Sequence, residues 1–484
     1  MKKPNVKSNY IYNLIYQVVA IILPIISTPY ISKVLGANNI GIYGYTLSIS
    51  AYFILFGSLG VALYGQREIA YVQKEKEKYS KAFFEIFFLK LICMTMSMLL
   101  FYFIFVRGNN NYTLYYKILL LEILANTLDI SWLFQGLELF KKTVTRNLIV
   151  KLLSIACLFI FVKDRKDLPI YFLIYVLSML IGNLSLWISV PKYICRVKIR
   201  SLNLIKHIKP TLIMFIPQAA IQIYTVLDRT MIGNIVADEA QVGFYTQGEN
   251  IIKLLLTIIT SLGTVMLPRI ARNYAEKNYE KIKDYIYKAF NLVFLLSFPM
   301  VAGIVMVADM FVPKFFGPGF DGVIMIMIVI SPILVLIGMS NVIGMQYLLP
   351  TKHQKEYTLS VVFGAIVNFC ANLILIAKFK AVGAAIGTVI AETVVTLTQM
   401  IFVRKDLKII HIFRIALNYV LPTLIMTICC YLLRRQLEPG VKAILLIAGF
   451  GMFVYGICLL FFKNKFVMDT INSLINRLKK IFKK

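Results

Sequence analysis

The sequence predicts an all-α polytopic membrane protein with about fourteen transmembrane helices. Three observations lead there. Of its 484 residues, 59% are hydrophobic and only 15% are charged, whereas a soluble chain carries nearer ~25% charge. Apolar runs of ~20 residues, enough to cross ~30 Å of hydrocarbon as a helix, recur along the whole length. Basic residues gather in alternate loops between those runs, as they do in cytoplasmic membrane loops. The 34 Phe and 28 Tyr exclude a disordered chain, which lacks the apolar residues to build a core.

In order, the expected spans are 10–32, 41–64, 82–106, 112–135, 147–163, 168–191, 211–235, 244–268, 286–310, 322–349, 358–377, 381–403, 415–433 and 441–462. The span at 147–163 is short, and the one at 112–135 carries Lys117, Glu122 and Asp129, so the range is twelve to fourteen. The basic residues test the count. With a cytoplasmic N-terminus, and span-end residues counted with their loops, 36 of the 52 Lys and Arg fall inside, 11 outside and 5 within spans. That asymmetry supports an even number of spans, both termini cytoplasmic and a multi-pass protein of the cell membrane. Tyr10–Ser32 exceeds the apolar core of a signal peptide, and no small-residue cleavage site follows it. In the tail, Val467, Ile471, Leu474, Leu478 and Ile481 recur at helical spacing among Arg477, Lys479, Lys480, Lys483 and Lys484. This pattern suits a helix lying on anionic membrane lipids.

The net charge of +29 is therefore chiefly topological. It forms no single patch or recognition motif, so nucleic acid is not an expected partner. Cys93, Cys157, Cys370, Cys429, Cys430 and Cys458 lie in apolar runs and Cys195 near a basic loop, a distribution with no disulfide framework or zinc spacing. His207, His353 and His411 fall in expected loops without a carboxylate or thiol cluster, so each is expected to be solvated or to face headgroups. No glycine precedes a lysine, which excludes a phosphate-cradling P-loop, and no Ser/His/Asp or Cys/His set occurs. No metal, cofactor or enzymatic activity is expected. Movement of a substrate down a gradient, or with ions, is the remaining class.

An internal repeat refines the layout. At an offset of 202 residues, Val34, Gly41, Tyr43 and Arg67 align with Val236, Gly243, Tyr245 and Arg269. Both copies fall between the same pair of spans in each half. Two six-span copies in the same orientation give two lobes related by an axis along the membrane normal. The expected division is a first lobe at 1–200, a second at 201–410, two added spans at 411–462 and the basic tail at 463–484.

Charged residues at bilayer depth are costly, by ~2.5–3.5 kcal/mol on insertion scales, and so face partners or water-filled cavities. The five intramembrane cations are Lys90, Lys117, Lys151, Arg229 and Lys253. Gln218, Gln222, Thr225 and Arg229 share one face of the seventh span, and Glu249, Lys253, Thr257, Thr260 and Thr264 share one face of the eighth. Glu122, Asn126 and Asp129 do so in the fourth. Such stripes line a cavity or hold helices together; Glu249 with Lys253 suits an i,i+4 ion pair. Asp228 points ~100° away from Arg229 around the helix.

Three stretches carry a family resemblance: LGANNIGIYGY at Leu35–Tyr45, DISWLFQGLELFKKTVTRN at Asp129–Asn147, and LDRTMIG at Leu227–Gly233 followed by VGFYTQGENI at Val242–Ile251. The chain resembles the Wzx-like oligosaccharide repeat-unit flippases of the multidrug/oligosaccharidyl-lipid/polysaccharide exporter (MOP) superfamily. The resemblance implies a MOP/MATE-like fold of two six-helix lobes around a cavity, with two further helices. It implies the flipping of an undecaprenyl-diphosphate-linked oligosaccharide from the inner to the outer leaflet for capsule, O-antigen or exopolysaccharide synthesis. A polysaccharide polymerase and glycosyltransferases are the partners it implies. Matched positions are Asp228, Arg229, Trp132, Gln135, Glu138 and Arg146; Trp132 and Glu138 equally suit an interfacial anchor and a loop charge. Glu392 resembles an acidic residue of the twelfth span in relatives, an ion-coupling candidate together with Asp129.

The substrate-binding candidates are Arg229, Asp228, Lys253, Gln218, Gln222, Asp129, Glu122, Lys151, Arg67 and Arg269. A guanidinium offers a bidentate fork to an anionic diphosphate and lysine a point charge, while the amides and hydroxyls suit sugars. The alternatives are a lipid II flippase, whose substrate carries the same diphosphate, and a MATE-like drug/cation antiporter, which the intramembrane cations disfavour. A membrane glycosyltransferase would need a large external loop, and no outside loop exceeds about fifteen residues.

Overall fold

In hydrocarbon every backbone N–H and C=O must be satisfied within the chain, and a helix does this segment by segment. The computed structural model follows that rule. It describes the backbone of residues 6–108, 111–261 and 263–481, and side chains at 19 and from 22 to 476 except at 109, 110, 217, 224, 262–265, 267, 268 and 474. The described residues are helical, with turns between and no strand.

The chain's contacts divide it into two units, Met1–Gly243 and Phe244–Lys484. The first contains α1 (Val6–Ser58), α2 (Val61–Val72), α3 (Lys76–Phe101), α4 (Thr113–Thr127), α5 (Ser131–Gly136), α6 (Phe140–Phe161), α7 (Leu168–Trp187), α8 (Val190–Tyr193) and α9 (Ile205–Val236). The boundary falls early in α10 (Glu239–Thr260). The second unit continues with α11 (Gly263–Ala275), α12 (Tyr279–Phe315), α13 (Gly322–Ile330), α14 (Ile333–Asn341), α15 (Gln354–Val403), α16 (Ile409–Arg434), α17 (Val441–Phe461) and α18 (Lys465–Ile481).

Ten described helical segments are long and apolar enough to span a membrane. Two of them, 22–72 and 354–403, each cover two of the expected spans. The expected spans at 211–235 and 244–268 fall on α9 and on α10 with α11. The joint inside α1 is Gly36, at φ 78°, a left-handed conformation that glycine adopts without a Cβ penalty. That inside α15 is Lys380, at φ 52°. α3 ends in a π-helical turn at Tyr102–Val106, and α14 runs into another at Val342–Leu348.

In the first unit the core centres on Trp132, whose ring lies 5.5 Å from that of Phe83, while Phe87 meets Trp187 edge-on at 4.9 Å. Gly65 admits this packing, because a Cβ there would stand 2.5 Å from the Trp132 ring. Trp132 is thus a core residue, 1% exposed, rather than an interfacial anchor. α6 is packed least: Ile149, Leu152, Leu153, Ile160 and Phe161 are all more than half exposed, a continuous apolar face suited to lipid.

In the second unit α12 packs against α16 and α17, and α13 and α14 pack against α15. α12 has 37 residues, about 55 Å at 1.5 Å per residue, so it is longer than the hydrocarbon is thick. Arg434 of α16 pairs with Asp309 of α12 and donates to the Met306 carbonyl at 2.9 Å. Inside α15, Asn372 donates to Asn368 at 3.1 Å and Gln399 to Ser360 at 3.1 Å. In the tail the helix of α18 is present, with Val467 and Ile471 half-buried. Leu474, Leu478, Ile481 and the basic residues at 477, 479, 480, 483 and 484 lie outside the described side chains.

Candidate functional site

A polar cavity of the first unit, about 590 Å³, is walled by α1, α4, α7 and α9. The α9 wall presents Gln218, Gln222 and Arg229, the stripe whose spacing of four and seven places one helical face toward one space. Opposite are Glu122 and Asn126 of α4, Tyr175 and Met179 of α7, and Ser48 and Ser58 of α1. Arg229 lies seven residues from the end of α9 at Val236, about 10 Å into the helix.

Glu122 is 5% exposed. Its carboxylate accepts from Ser50 at 2.7 Å and from Tyr175 at 3.2 Å. Such charge-assisted bonds hold a buried carboxylate in place. Asn126 donates to the Glu122 carbonyl at 3.0 Å. Near Arg229, the hydroxyls of Ser48 and Thr230 pair at 2.8 Å, and Thr230 donates to Tyr52 at 3.3 Å. The cavity thus offers a guanidinium for phosphate oxygens and, around it, amides and hydroxyls that can donate to or accept from sugar hydroxyls.

The other candidates lie elsewhere. Asp228 is buried beside Arg229 in α9, off the cavity wall. Asp129 sits where α4 breaks, its carboxylate accepting from the Ser131 N–H at 2.9 Å. The carbonyls freed by that break are taken up by Lys90, which donates to Asp129 O at 2.9 Å, and by Trp187, which donates to Leu128 O at 2.8 Å; a break at membrane depth needs such partners. Lys253 pairs with Glu249 at 2.6 Å within α10. Lys151 of α6 lines a separate, smaller cavity. Arg67 is exposed on α2 between the rings of Tyr64 and Tyr71, and Arg269 is exposed on α11. Glu392 is buried in α15 of the second unit. Arg146 donates to Asn183 at 2.6 Å and Asn183 to the Ala125 carbonyl at 2.7 Å, which ties α6, α7 and α4 together. Gln135 lies half-buried in α5, and Glu138, exposed, takes a left-handed φ of 59° in the turn after it. Among the described residues, no three His, Cys, Asp or Glu side chains are grouped to hold a metal ion.

One expectation is overturned. His207 is 1% exposed, not solvated: Nδ1 meets the Tyr64 hydroxyl at 2.6 Å and Nε2 meets Glu85 at 2.9 Å. Glu85 also accepts from the Asn203 N–H at 2.8 Å and pairs with Lys206 at 2.7 Å. The partners are 122 and 143 residues away in sequence, so no local window shows them. Burial without these bonds would be prohibitive. Replacing His207 by Ala is expected to destabilise the protein by about 1–3 kcal/mol, since Tyr64 and Glu85 each lose a buried partner. A wild-type melting temperature in detergent would count against this role. Tyr175 is a cavity residue that the sequence does not signal, because a tyrosine in an apolar span reads as one more apolar residue.

The comparisons agree with this architecture. The family described as "Polysaccharide biosynthesis protein" matches residues 6–274, and that described as "MatE" matches residues 213–376. The chain is 26% identical over 408 residues to a protein of Escherichia coli (strain K12) named "Putative O-antigen transporter", covering 84% of this chain and 98% of that one. A Shigella dysenteriae protein of the same name is 22% identical over 387 residues, covering 78% and 95%. Among solved structures, the lipid II flippase MurJ in an inward closed conformation is similar at a TM-score of 0.75 and 20% identity, covering 96% of this chain and 99% of that one. An inward-facing multidrug resistance MATE family transporter of the MOP superfamily follows at 0.66 and 16% identity, covering 84% and 98%. The structural likenesses establish a MOP-like fold. With more than half of its length matched, including α1 to α9 and the whole polar cavity, the chain belongs to the polysaccharide biosynthesis protein family.

Proposed function

We propose that this multi-pass membrane protein flips undecaprenyl-diphosphate-linked oligosaccharide repeat units from the inner to the outer leaflet of the cytoplasmic membrane. The single observation carrying this reading is the cavity in which Arg229 stands among Gln218, Gln222, Asn126, Glu122 and Tyr175. A charged sugar head cannot cross hydrocarbon unaided because of its desolvation cost. The guanidinium receives the diphosphate, the amides and hydroxyls receive the sugars, and the polyprenyl tail stays in lipid. Access alternates between the two faces as one six-helix lobe, 1–200, rocks against the other, 201–410, with the spans in 411–462 as an addition. Asp228, Lys253, Arg67, Arg269 and Lys151 are further charges on the path, and Glu392 and Asp129 are the ion-coupling candidates. The relatives named O-antigen transporters and the fold shared with a lipid II flippase support this reading. None of those relatives is named for an enzymatic activity.

Deletion of the gene tests it. An undecaprenyl-linked repeat unit is expected to accumulate on the inner leaflet. Accumulation of lipid II instead would make this the cell-wall flippase, and drug sensitivity with no accumulated lipid would make it an antiporter. The orientation is tested separately. A cysteine placed within Lys74–Lys81 is expected to react with a membrane-impermeant thiol probe only from the cytoplasmic side, and labelling of intact cells would invert the topology.

A further inference from the structure

A second cavity, about 150 Å³, lies between α1, α6 and α7. Its polar lining is Lys151 with five hydroxyl residues: Ser27, Ser154, Ser178, Tyr171 and Tyr175. Two of the hydroxyls are already spent, Ser154 donating to the Lys151 carbonyl at 2.9 Å and Ser178 to the Tyr175 carbonyl at 2.8 Å. Tyr175 donates to Glu122. The Tyr171 hydroxyl is hydrogen-bonded to that of Tyr43, so the donors left for a ligand are the ammonium and the hydroxyl of Ser27. No carboxylate lines the cavity among the described residues, and the chain has no acidic residue before Glu68, so α1 brings none in its undescribed part. An ammonium beside a hydroxyl donor, in a lining without a carboxylate, suits an anion.

Depth narrows the anion's identity. Lys151 lies eleven residues from the start of α6 and ten from its end, about 15 Å from either end at 1.5 Å per residue. A resting lipid headgroup stays at the interface, about 15 Å from the midplane of a ~30 Å core. A cation held near the midplane is costly and marks a pathway. Tyr175 lines both this cavity and the one that contains Arg229. We infer that the Lys151 cavity is a phosphate-binding waypoint at mid-membrane depth for a lipid diphosphate in transit. Tyr175 is the wall that separates it from the Arg229 cavity. This rests on the reading of the protein as a flippase of diphosphate-linked lipids.

The test uses the full-length protein purified in detergent and exposed to undecaprenyl diphosphate and, separately, phosphatidylglycerol, with bound lipid measured by mass spectrometry. Lys151→Met is expected to retain about tenfold less undecaprenyl diphosphate than wild type, the loss of a charged hydrogen-bond donor. Lys151→Arg, which keeps the charge, is expected to retain most of it, which separates loss of binding from loss of folding. Phosphatidylglycerol is expected to be unchanged. Wild-type retention by Lys151→Met overturns the waypoint, and if Arg229→Ala still loses the lipid, the flippase reading survives. Equal loss of phosphatidylglycerol would make the cavity a resting headgroup site and overturn the transit role. Wild-type protein that retains no undecaprenyl diphosphate overturns both readings.

Discussion

Arg229→Ala is expected to abolish export of the lipid-linked saccharide while the protein accumulates at its wild-type level. The side chain lines a polar cavity rather than the apolar core, so its removal leaves the helix packing of α9 against α1, α2 and α3 in place. What is lost is a fork of two charge-assisted bonds to phosphate, each about 1.5–3 kcal/mol, hence about 100-fold or more in occupancy. Arg229→Lys keeps the charge without the planar fork and is expected to export at an intermediate rate. Surface polysaccharide, quantified beside an immunoblot of the membrane fraction, checks both. Normal export by Arg229→Ala would remove the guanidinium from the mechanism.

The second large effect is structural. Gly41→Leu is expected to keep the protein from accumulating, or to lower its melting temperature in detergent sharply. A Cβ on Gly41 would stand 1.6 Å from the carbonyl oxygen of Glu239, and one on Gly243 would stand 2.2 Å from that of Ala37. The opposing atoms are backbone and cannot rotate away, so α1 and the start of α10 must separate. Overpacking of this kind costs about 3 kcal/mol or more. Gly449→Ala is the control: nothing stands within 4 Å of a Cβ there, and alanine favours the helix. Equal melting of Gly41→Leu and Gly449→Ala would refute the contact. Gly41 and Gly243 are the two glycines that the 202-residue repeat aligns, so residues matched by sequence alone meet back to back.

Much of the fold is legible because membrane helices obey local rules. Length and hydropathy place the spans, and the two joints that divide the longest helices fall at Gly36 and Lys380, between spans expected as separate. The α9 stripe was legible for the same reason: helical spacing puts Gln218, Gln222 and Arg229 on one face, and they share one cavity. Equal spacing in α10 ended differently. Lys253 closed an ion pair with Glu249, since two opposite charges four residues apart satisfy each other before any third element is needed. Lys90, legible in the sequence only as a costly intramembrane cation, meets the Asp129 carbonyl at the break between α4 and α5, a feature visible only when the freed carbonyls and their donors are seen together.

Sequence alone determined the helical class, the positions of the long apolar helices and their polar faces, because these depend on burial in hydrocarbon and on one helix at a time. The tertiary structure decided which faces share a space. It set Glu122 and Tyr175 on the Arg229 cavity, gave Lys151 a cavity of its own, and buried His207 between Glu85 and Tyr64. The Arg229 and His207 groupings join residues more than fifty positions apart. A polar group at membrane depth takes whichever partner the packing brings within 3 Å, so its role is assigned by neighbours that the local sequence does not name.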